Sequence, residues 1–370
     1  MKTIIYADNA ATTQMSPLAL ENMIHFLKSD YGNASQAYSF AREAKKALRR
    51  ARAIIASCIG AKEEEIYFTS GGSESDNWAI KNAWLQRMPI VTSQIEHHAI
   101  LNACNFLKRK GENVEYLPVS NYGLINPIDI KKTIINKSFL SIMMANNEIG
   151  TIEPISQYSL LAKEYGCVFH TDAVQAVGHI DINVKELGID MLSASSHKFN
   201  GPKGVGFLFV KDGIKIEPLI HGGGQEFGFR AGTENVASIL AMAIALQENV
   251  ENIEYNKKHL YCLEEIIINE LNSSKIDYKR NGIHQLPGLL SLSFNGLDGE
   301  ALLHRLDLQG IAVSTGSACD SKDTQISHVL NAIGLSKDYA KGTIRISLSK
   351  YNTKEEVETI AKAIIKIVKP

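Results

Sequence analysis

Short hydrophobic runs alternate with amphipathic helical patterns from about residue 16 to about residue 250. Such runs favour buried strands, and apolar residues spaced three or four apart favour helices, so the alternation is typical of βαβ units and a mostly parallel sheet. The seven predicted strands are 66–69, 89–93, 114–118, 139–145, 167–172, 191–195 and 204–210. The helical patterns between them cover 74–85, 99–110, 127–136 and 155–165.

Two further helices are predicted before the first of these strands. Ser16 and Pro17 are residue types typical of an N-cap and a first helical position, and Gly60 is typical of the position that ends a second helix. The apolar face of that second helix carries Ala44, Leu48, Ala51 and Ile55. Both helices therefore belong to the same alternating layout as the sheet.

The pattern changes after about residue 235. Two long helical stretches run to Asn272 and are followed by strand, helix, strand, loop, helix, strand and helix. The final helix begins with a capping box made by Thr353 and Glu356. We therefore predict an α/β protein with a large domain at 14–250 and a smaller α/β domain formed by 1–13 and 251–370.

Composition and charge narrow the class of protein. The chain has 370 residues, of which 45% are hydrophobic and 21% charged, which is enough to bury more than one core and excludes a disordered or collagen-like chain. Its 39 basic and 40 acidic residues give a net charge of −1, which provides no overall field to attract nucleic acid. Six basic residues cluster at 42–52, but without interleaved aromatics they favour a solvated helix face.

The cysteines and the N-terminus predict a cytoplasmic protein with free thiols. The five cysteines are scattered and contain no C-x-x-C pair, so neither a disulfide framework nor a metal site is predicted; they are Cys58, Cys104, Cys167, Cys262 and Cys319. All but Cys319 lie in apolar periodic segments, where a small core residue is expected. The apolar stretch 4–7 ends at Asp8, too early for a signal peptide, and no apolar run approaches membrane-spanning length.

A glycine-rich turn at 69–77, TSGGSESDN, follows one predicted strand and opens a helix. Backbone amides at such a turn bind phosphate, and Ser73 adds a hydroxyl. A plain strand-to-helix turn with a serine cap is an equal alternative, because the spacing matches neither of the common nucleotide-binding motifs.

Two strand ends carry an acid and an amine. Asp172 and Gln175 follow one predicted buried strand, and Lys198 follows the next, at the sheet edge where open α/β sheets bind ligands. Taken singly, Asp172 is an ordinary helix cap and Lys198 an ordinary surface lysine. A phosphate cradle, a partner for a pyridinium nitrogen and a nucleophilic amine together match the needs of pyridoxal phosphate.

Other residues fit the same site. His97 follows the strand at 89–93, where an imidazole can stack on a flat ring, and Asn147 follows the strand at 139–145. A structural histidine and an Asn-rich loop are the respective alternatives. Arg345 is a candidate to capture a carboxylate, with a surface ion pair as an equal alternative. Cys319 lies among small polar residues at about 314–327, where we expect a mobile, exposed loop and a reactive thiol.

These residues, taken in order, identify a resemblance to the cysteine desulfurases, pyridoxal-phosphate enzymes with the class V aminotransferase fold (fold type I). The resemblance covers nearly the whole chain. The matching segments are YADNAATT at 6–13, TSGGSESDN at 69–77, EH at 96–97, NNEIG at 146–150, HTDAVQ at 170–175, SSHK at 195–198, HGGG at 221–224, RAGT at 230–233, STGSACDS at 314–321 and Arg345.

The resemblance implies a role for each site residue. Lys198 would hold the cofactor covalently, Asp172 would pair with the pyridinium nitrogen, and Gln175 would bond the ring hydroxyl. His97 would stack on the ring. Cys319 would be the persulfide-forming nucleophile. The implied phosphate ligands are Gly72, Ser73, Ser195 and His197, with Thr233 from the second subunit of a homodimer, and the implied ligands of the substrate carboxylate are Asn147 and Arg345.

The implied reaction converts L-cysteine to L-alanine and passes sulfur through Cys319 to an acceptor protein for iron–sulfur cluster assembly or another thiolation pathway. The sequence does not name this acceptor. Residues 324–327 differ from the sequence common in relatives, and the chain ends at Pro370 without the extension that housekeeping relatives use to dock an iron–sulfur scaffold. Two alternatives stay open: a selenocysteine lyase or another class V aminotransferase in which Cys319 is incidental, and a non-catalytic sulfur-relay subunit.

Overall fold

The computed structural model describes residues 4–315 and 326–369. Its strands are Ile5–Tyr6 (β1), Ile66–Thr69 (β2), Ile90–Ser93 (β3), Val114–Leu117 (β4), Phe139–Ser141 (β5), Val168–Asp172 (β6), Met191–Ser195 (β7), Gly206–Val210 (β8), Tyr278–Arg280 (β9), Leu289–Phe294 (β10), Ile311–Ala312 (β11) and Thr343–Ser347 (β12). Its α-helices are Pro17–Lys28 (α1), Arg42–Ile59 (α2), Gly72–Leu85 (α3), His98–Arg109 (α4), Pro127–Thr133 (α5), Ile155–Glu164 (α6), Val236–Glu251 (α7), Ile253–Ser273 (α8), Gly299–Asp307 (α9), His328–Ala332 (α10), Lys337–Lys341 (α11) and Lys354–Val368 (α12).

The central sheet has seven strands in the order β2-β8-β7-β6-β5-β3-β4. Strand β8 runs antiparallel to both of its neighbours, and the other pairs are parallel. The predicted mostly parallel, seven-stranded sheet is therefore confirmed. Strands β2, β3, β5, β6 and β7 all end at one edge of this sheet, which is where a ligand site is expected.

Side chains on the two faces of the sheet form separate hydrophobic clusters. Neighbouring residues such as Leu208 and Phe209 of β8 belong to different clusters, because successive side chains on a strand point to opposite faces. Helices α2, α6 and α7 cover one face, and α3 and α4 cover the other. Both faces are buried, which explains why these strands read as continuous apolar runs.

A further hydrophobic cluster lies in the C-terminal third of the chain. It joins β10, β12, α8, α9 and α12, and it also includes Ala7 near the N-terminus. Strands β12, β10 and β9 form an antiparallel sheet, and β1 pairs with β11 in parallel. The N-terminal segment thus packs with the C-terminal elements, and the division into domains at residue 250 stays a prediction.

Several local predictions are confirmed. Gly60 ends α2 in the left-handed conformation, with φ of 71°, and Thr353 and Glu356 form the capping box of α12. The expectation of a core position for Cys262 is wrong. Leu260 and Leu263 of α8 are buried while Cys262 is exposed, since the rotation along the helix carries it off the apolar stripe.

The basic run at 42–52 is also not uniformly solvated. Most of its basic side chains are exposed, but Arg52 turns inward to pair with Glu226. Over residues 4–315 and 326–369, no helix combines the length and apolar character needed to cross a bilayer.

Candidate active site

A cleft of about 540 Å³ opens at the edge of the central sheet where β2, β3, β5, β6 and β7 end. It brings together predicted site residues that are widely separated in the sequence. Those lining it are Gly72, Ser73, His97, Asn147, Asp172, Gln175, Ser195, His197, Lys198 and Arg345. Thr233 is exposed and does not line this cleft, and Cys319 lies outside the described residues.

Lys198 lies in the single turn that follows β7. Its Nζ donates hydrogen bonds to the carbonyl oxygens of Ala10 and Ala11, at 2.5 and 2.9 Å. The side chain therefore lies in the cleft wall rather than extending into solvent as an ordinary surface lysine would. Gln175 donates to the same Ala10 oxygen at 2.9 Å, so the N-terminal segment orients both side chains.

Asp172 is the last residue of β6 and is only 4% exposed. Burial raises the pKa of Asp172 to about 6, although the hydrogen bond from the Val174 amide and the charge of Lys198 oppose this rise. The carboxyl group is thus mainly ionised at neutral pH. An ionised acid at this position can stabilise a protonated pyridine nitrogen.

A buried polar layer lies beneath Asp172. His170 is hydrogen-bonded to Ser141 at 2.9 Å and to Ser193 at 3.0 Å, and burial lowers the pKa of His170 to about 3. Burial, together with the charge of Asp172, raises the pKa of Asp76 well above its usual range. Burial therefore disfavours the charged forms of both His170 and Asp76, while Lys198 and the Val174 amide favour the ionised form of Asp172.

His97 is the N-cap residue of α4. Its Nδ1 accepts a hydrogen bond from the Ala99 amide at 3.1 Å, so the proton of the neutral ring is on Nε2. Burial and the charges of Lys198 and His98 lower the pKa of His97 to about 4. The imidazole is therefore neutral at pH 7 and held in a fixed orientation at the cleft, which suits stacking on an aromatic ring.

The glycine-rich turn forms one end of the cleft. Gly71 has φ of 146°, and a Cβ on Gly72 would lie 2.6 Å from Val174 Cγ2, so both positions require glycine. Gly71 is the N-cap of α3 and makes no side-chain cap, which rules out the serine-cap interpretation. The turn is shaped as an anion cradle at the N-terminus of α3.

Ser195 borders this turn, and His197 also lines the cleft. Ser195 is buried, and His197 Nδ1 lies 3.2 Å from Thr12 Oγ1. Burial, together with the charges of Lys198 and Lys203, lowers the pKa of His197 to about 4. Hydroxyl and neutral imidazole groups are suitable hydrogen-bond partners for phosphate oxygens.

Arg345 enters the cleft from β12 and is 5% exposed. Its guanidinium donates to Asp8 Oδ1 and to the Asn147 carbonyl oxygen, both at 2.8 Å, while Nε has no partner. The alternative of a surface ion pair is wrong, because the pair with Asp8 is largely buried. A carboxylate bound in the cleft would give this unpaired Nε donor an acceptor.

Several cleft residues were not singled out by the sequence. Asp76, Thr12 and Lys203 line the cleft, and a Cβ on Gly206 of β8 would lie 2.7 Å from Gly71 Cα. Thr12 and Asp76 lie within two of the segments on which the family resemblance rests, 6–13 and 69–77. Nothing in the local sequence indicates Gly206, because its importance comes from a contact with a turn more than a hundred residues away.

The fold and the cleft together define a class of protein. A family model described as Aminotransferase class-V matches residues 5–360. A solved structure described as a NifS-like protein has a TM-score of 0.93 and 38% identity, with 99% of each chain covered. The chain belongs to the class-V aminotransferase family, whose members use pyridoxal phosphate, and the predicted fold class is confirmed.

Similarity within that family is more specific. The chain is 47% identical to the cysteine desulfurase IscS of Dictyoglomus turgidum, over 100% of this chain and 95% of that protein. It is 36% identical to SspA, solved in complex with cysteine, with a TM-score of 0.84 and coverage of 94% of this chain and 100% of that one. It is accordingly a member of the cysteine desulfurases and a pyridoxal-phosphate-dependent enzyme.

Proposed function

We propose that this enzyme converts L-cysteine to L-alanine and takes up the sulfur as a persulfide on Cys319. The observation that carries this proposal is the convergence of Lys198, Asp172 and Arg345 on one cleft. The amine and the acid suit the cofactor, and the guanidinium suits the carboxylate of an amino acid. The complex of the relative SspA with cysteine supports the same substrate.

The residues of the cleft fit pyridoxal phosphate. The turn depends on glycine, because Gly71 has φ of 146° and a Cβ on Gly72 would collide with Val174, and the buried acid Asp172 is available for a ring nitrogen. When bound, pyridoxal phosphate supplies an aldehyde that condenses with amines and a ring that accepts electrons. We assign its phosphate to Gly72, Ser73, Ser195 and His197.

Lys198 and Asp172 have complementary tasks. We assign Lys198 as the amine that would hold the cofactor and that, when free, would carry the proton that leaves the substrate Cα. Asp172 would stabilise a proton on the ring nitrogen, because its buried carboxylate would pair with it. Gln175 would bond the ring hydroxyl, and neutral His97 would stack on the ring.

The substrate carboxylate is assigned to Arg345 and Asn147. Arg345 offers the unpaired Nε, and its other contacts with Asp8 and the Asn147 carbonyl hold the guanidinium in place. Binding at this point fixes which bonds at the substrate Cα face Lys198.

Sulfur transfer is assigned to the thiolate of Cys319. The thiolate attacks the sulfur atom of the substrate, so that an S–S bond forms while the substrate C–S bond breaks and its electron pair returns to carbon. Ser314, five residues earlier in the chain, exchanges backbone hydrogen bonds with Arg345 at 2.6 and 3.1 Å. This link ties the start of the segment that carries Cys319 to the proposed carboxylate site.

We also propose a cytoplasmic homodimer that passes its sulfur to an acceptor protein. Thr233 is exposed on its own chain, so the phosphate ligand role assigned to it requires a second copy. The proposed acceptor is an iron–sulfur scaffold or another thiolation protein, and the name IscS of the Dictyoglomus turgidum relative supports the first of these. Four free cysteines among the described residues agree with a reducing compartment.

The test is to measure alanine and sulfide release from L-cysteine by the wild-type enzyme and by Cys319→Ala. Loss of nearly all turnover, with the cofactor absorption unchanged, is the expected result. Full turnover in Cys319→Ala would support a selenocysteine lyase or another class V reaction instead. A purified wild-type protein that lacks cofactor absorption would support the non-catalytic relay subunit. Cys262→Ala, an exposed cysteine on α8, is the matched control.

A further inference from the structure

A carboxylate lies at the end of the cleft that forms the anion cradle. Glu74 is the third residue of α3 and lines the cleft beside Ser73. Its Oε2 accepts a hydrogen bond from the Ser70 amide at 2.7 Å. An ionised acid here opposes the binding of a phosphate dianion, because like charges repel each other and burial reduces the screening by water.

Arg230 reaches this carboxylate from a distant part of the chain. Its Nε donates to Glu74 Oε1 at 2.8 Å and its Nη2 to Glu74 Oε2 at 3.0 Å. The two side chains are 20% and 10% exposed, so the pair is shielded from solvent. Burial alone would raise the pKa of Glu74, but the hydrogen bonds from Arg230 and Ser70 outweigh it and lower this pKa below its usual value.

A second buried ion pair fixes the segment that carries Arg230. Glu226 accepts hydrogen bonds from both terminal nitrogens of Arg52, at 2.8 and 2.9 Å, and from the Phe68 amide at 2.9 Å. Phe68 belongs to β2, which leads directly into the cradle. Glu226 and Phe227 have φ of 44° and 59°, a conformation that costs free energy in residues other than glycine and persists where contacts over-determine it. The segment is therefore docked on both sides of the cradle.

We propose that Arg230 is a positioning residue for the cofactor phosphate, because it neutralises Glu74 and so allows the cradle to accept a dianion. The proposal rests on the assignment of this cradle to the phosphate. A purely structural brace between Arg230 and Glu74 would make a different prediction. If the pair were only a brace, removal of either Arg230 or Glu74 would weaken the site. If Arg230 acts by neutralising Glu74, removal of Arg230 weakens phosphate binding only while Glu74 keeps its charge.

The experiment compares pyridoxal phosphate with pyridoxal, which lacks the phosphate. Dissociation constants for both are measured on full-length protein freed of cofactor, for the wild type, Arg230→Gln, Glu74→Gln and the double variant. Arg230→Gln should weaken pyridoxal phosphate binding about tenfold or more and leave pyridoxal binding unchanged. Glu74→Gln should bind pyridoxal phosphate at least as well as the wild type, and the double variant should regain most of the loss.

Two further variants keep the outcome decisive. Arg230→Lys retains the charge and should retain most of the selectivity for the phosphate form, and Lys46→Gln breaks an exposed ion pair on α2 as a matched control. The proposal is overturned if Arg230→Gln weakens both ligands equally, if the double variant binds no better than Arg230→Gln, or if Arg230→Lys loses selectivity completely. Failure of the site assignment differs, because the wild type itself would then show no preference for the phosphate form.

Discussion

Burial decides which titratable side chains around the cleft carry charge at neutral pH. His97 and His197 have pKa values lowered to about 4, and Glu96 has a pKa raised to about 8, because the charged form of each loses contact with water. Asp172 has a smaller rise in pKa, because Lys198 and a backbone amide offset part of the burial. Neutral imidazoles thus lie beside Lys198 and Asp172, while ion pairs such as Arg345–Asp8 also form part of the cleft wall.

Glu96 gives a test of this electrostatic picture. The side chain is fully buried, its Oε1 accepts from Ser93 Oγ and the Met143 amide, and Oε2 has no partner. Its folded pKa of about 8 exceeds the unfolded value of about 4.3, so the folded state binds the extra proton between these values. The unfolding free energy of the wild type should therefore fall relative to Glu96→Gln as pH rises from about 5 to 8.

Urea unfolding of both proteins at pH 5, 6.5 and 8 measures this difference. Glu358→Gln, which changes an exposed residue of α12, is the control. A stability difference between wild type and Glu96→Gln that does not change with pH would contradict the buried, protonated state of Glu96.

Residue types and order were sufficient to predict Lys198, Asp172, His97 and Arg345. They were not sufficient to predict the pair between Glu74 and Arg230, which are 156 positions apart. Each of these two residues has an ordinary alternative in the sequence, as a helix-start acid and a surface base. Their mutual contact depends on the path of the chain between them.

Most of the helices and strands are predicted by local patterns of apolar and polar residues. Continuous apolar runs predicted the seven strands of the central sheet, and all seven form. The short elements β1, β9 and α11 were not predicted, because two to five residues carry too little periodicity to distinguish them from loops. The exposed position of Cys262 was not predicted either, because the apolar residues of a helical segment do not by themselves show which side of the helix faces solvent.

The capping box of α12 is a test at this scale. Thr353 Oγ1 accepts from the Glu356 amide at 3.3 Å, and the Glu356 carboxylate accepts from the Thr353 amide at 3.1 Å. Thr353→Ala removes one half of this arrangement and should lower stability by about 1 kcal/mol. Amide hydrogen exchange should show faster opening of the first turn of α12. Thr359→Ala changes the exposed face of the same helix and should leave the exchange of the first turn unchanged. Equal exchange rates in the two variants would contradict a role for the cap.

At the scale of the whole molecule, the cleft depends on parts of the chain that pack in different clusters. The residues assigned to the cofactor lie at or just after the ends of strands in the central sheet. Arg345 lies in β12, whose apolar residues pack in the C-terminal hydrophobic cluster. Residues 8–12 join the two, since Asp8 pairs with Arg345 while Ala10 and Ala11 accept from Lys198. The sequence predicted both regions, but their relative placement follows from long-range packing.

The homodimer is a prediction at the same scale. Leu20, Ile24 and Leu27 form an exposed apolar stripe on α1, and Phe227 is 59% exposed. Apolar surface of this kind favours contact with another chain. Light scattering should give twice the chain mass of 40.7 kDa, and Ile24→Glu should reduce the dimer and with it cofactor affinity. A monomer that retains the cofactor fully would contradict the role assigned to Thr233.

The most direct test of the account concerns the covalent anchor of the cofactor. Borohydride reduction of the purified enzyme, followed by peptide mapping, locates the lysine that carries the pyridoxyl group. The account predicts a single adduct on Lys198. An adduct on Lys203, which also lines the cleft, or the absence of any adduct, would contradict it.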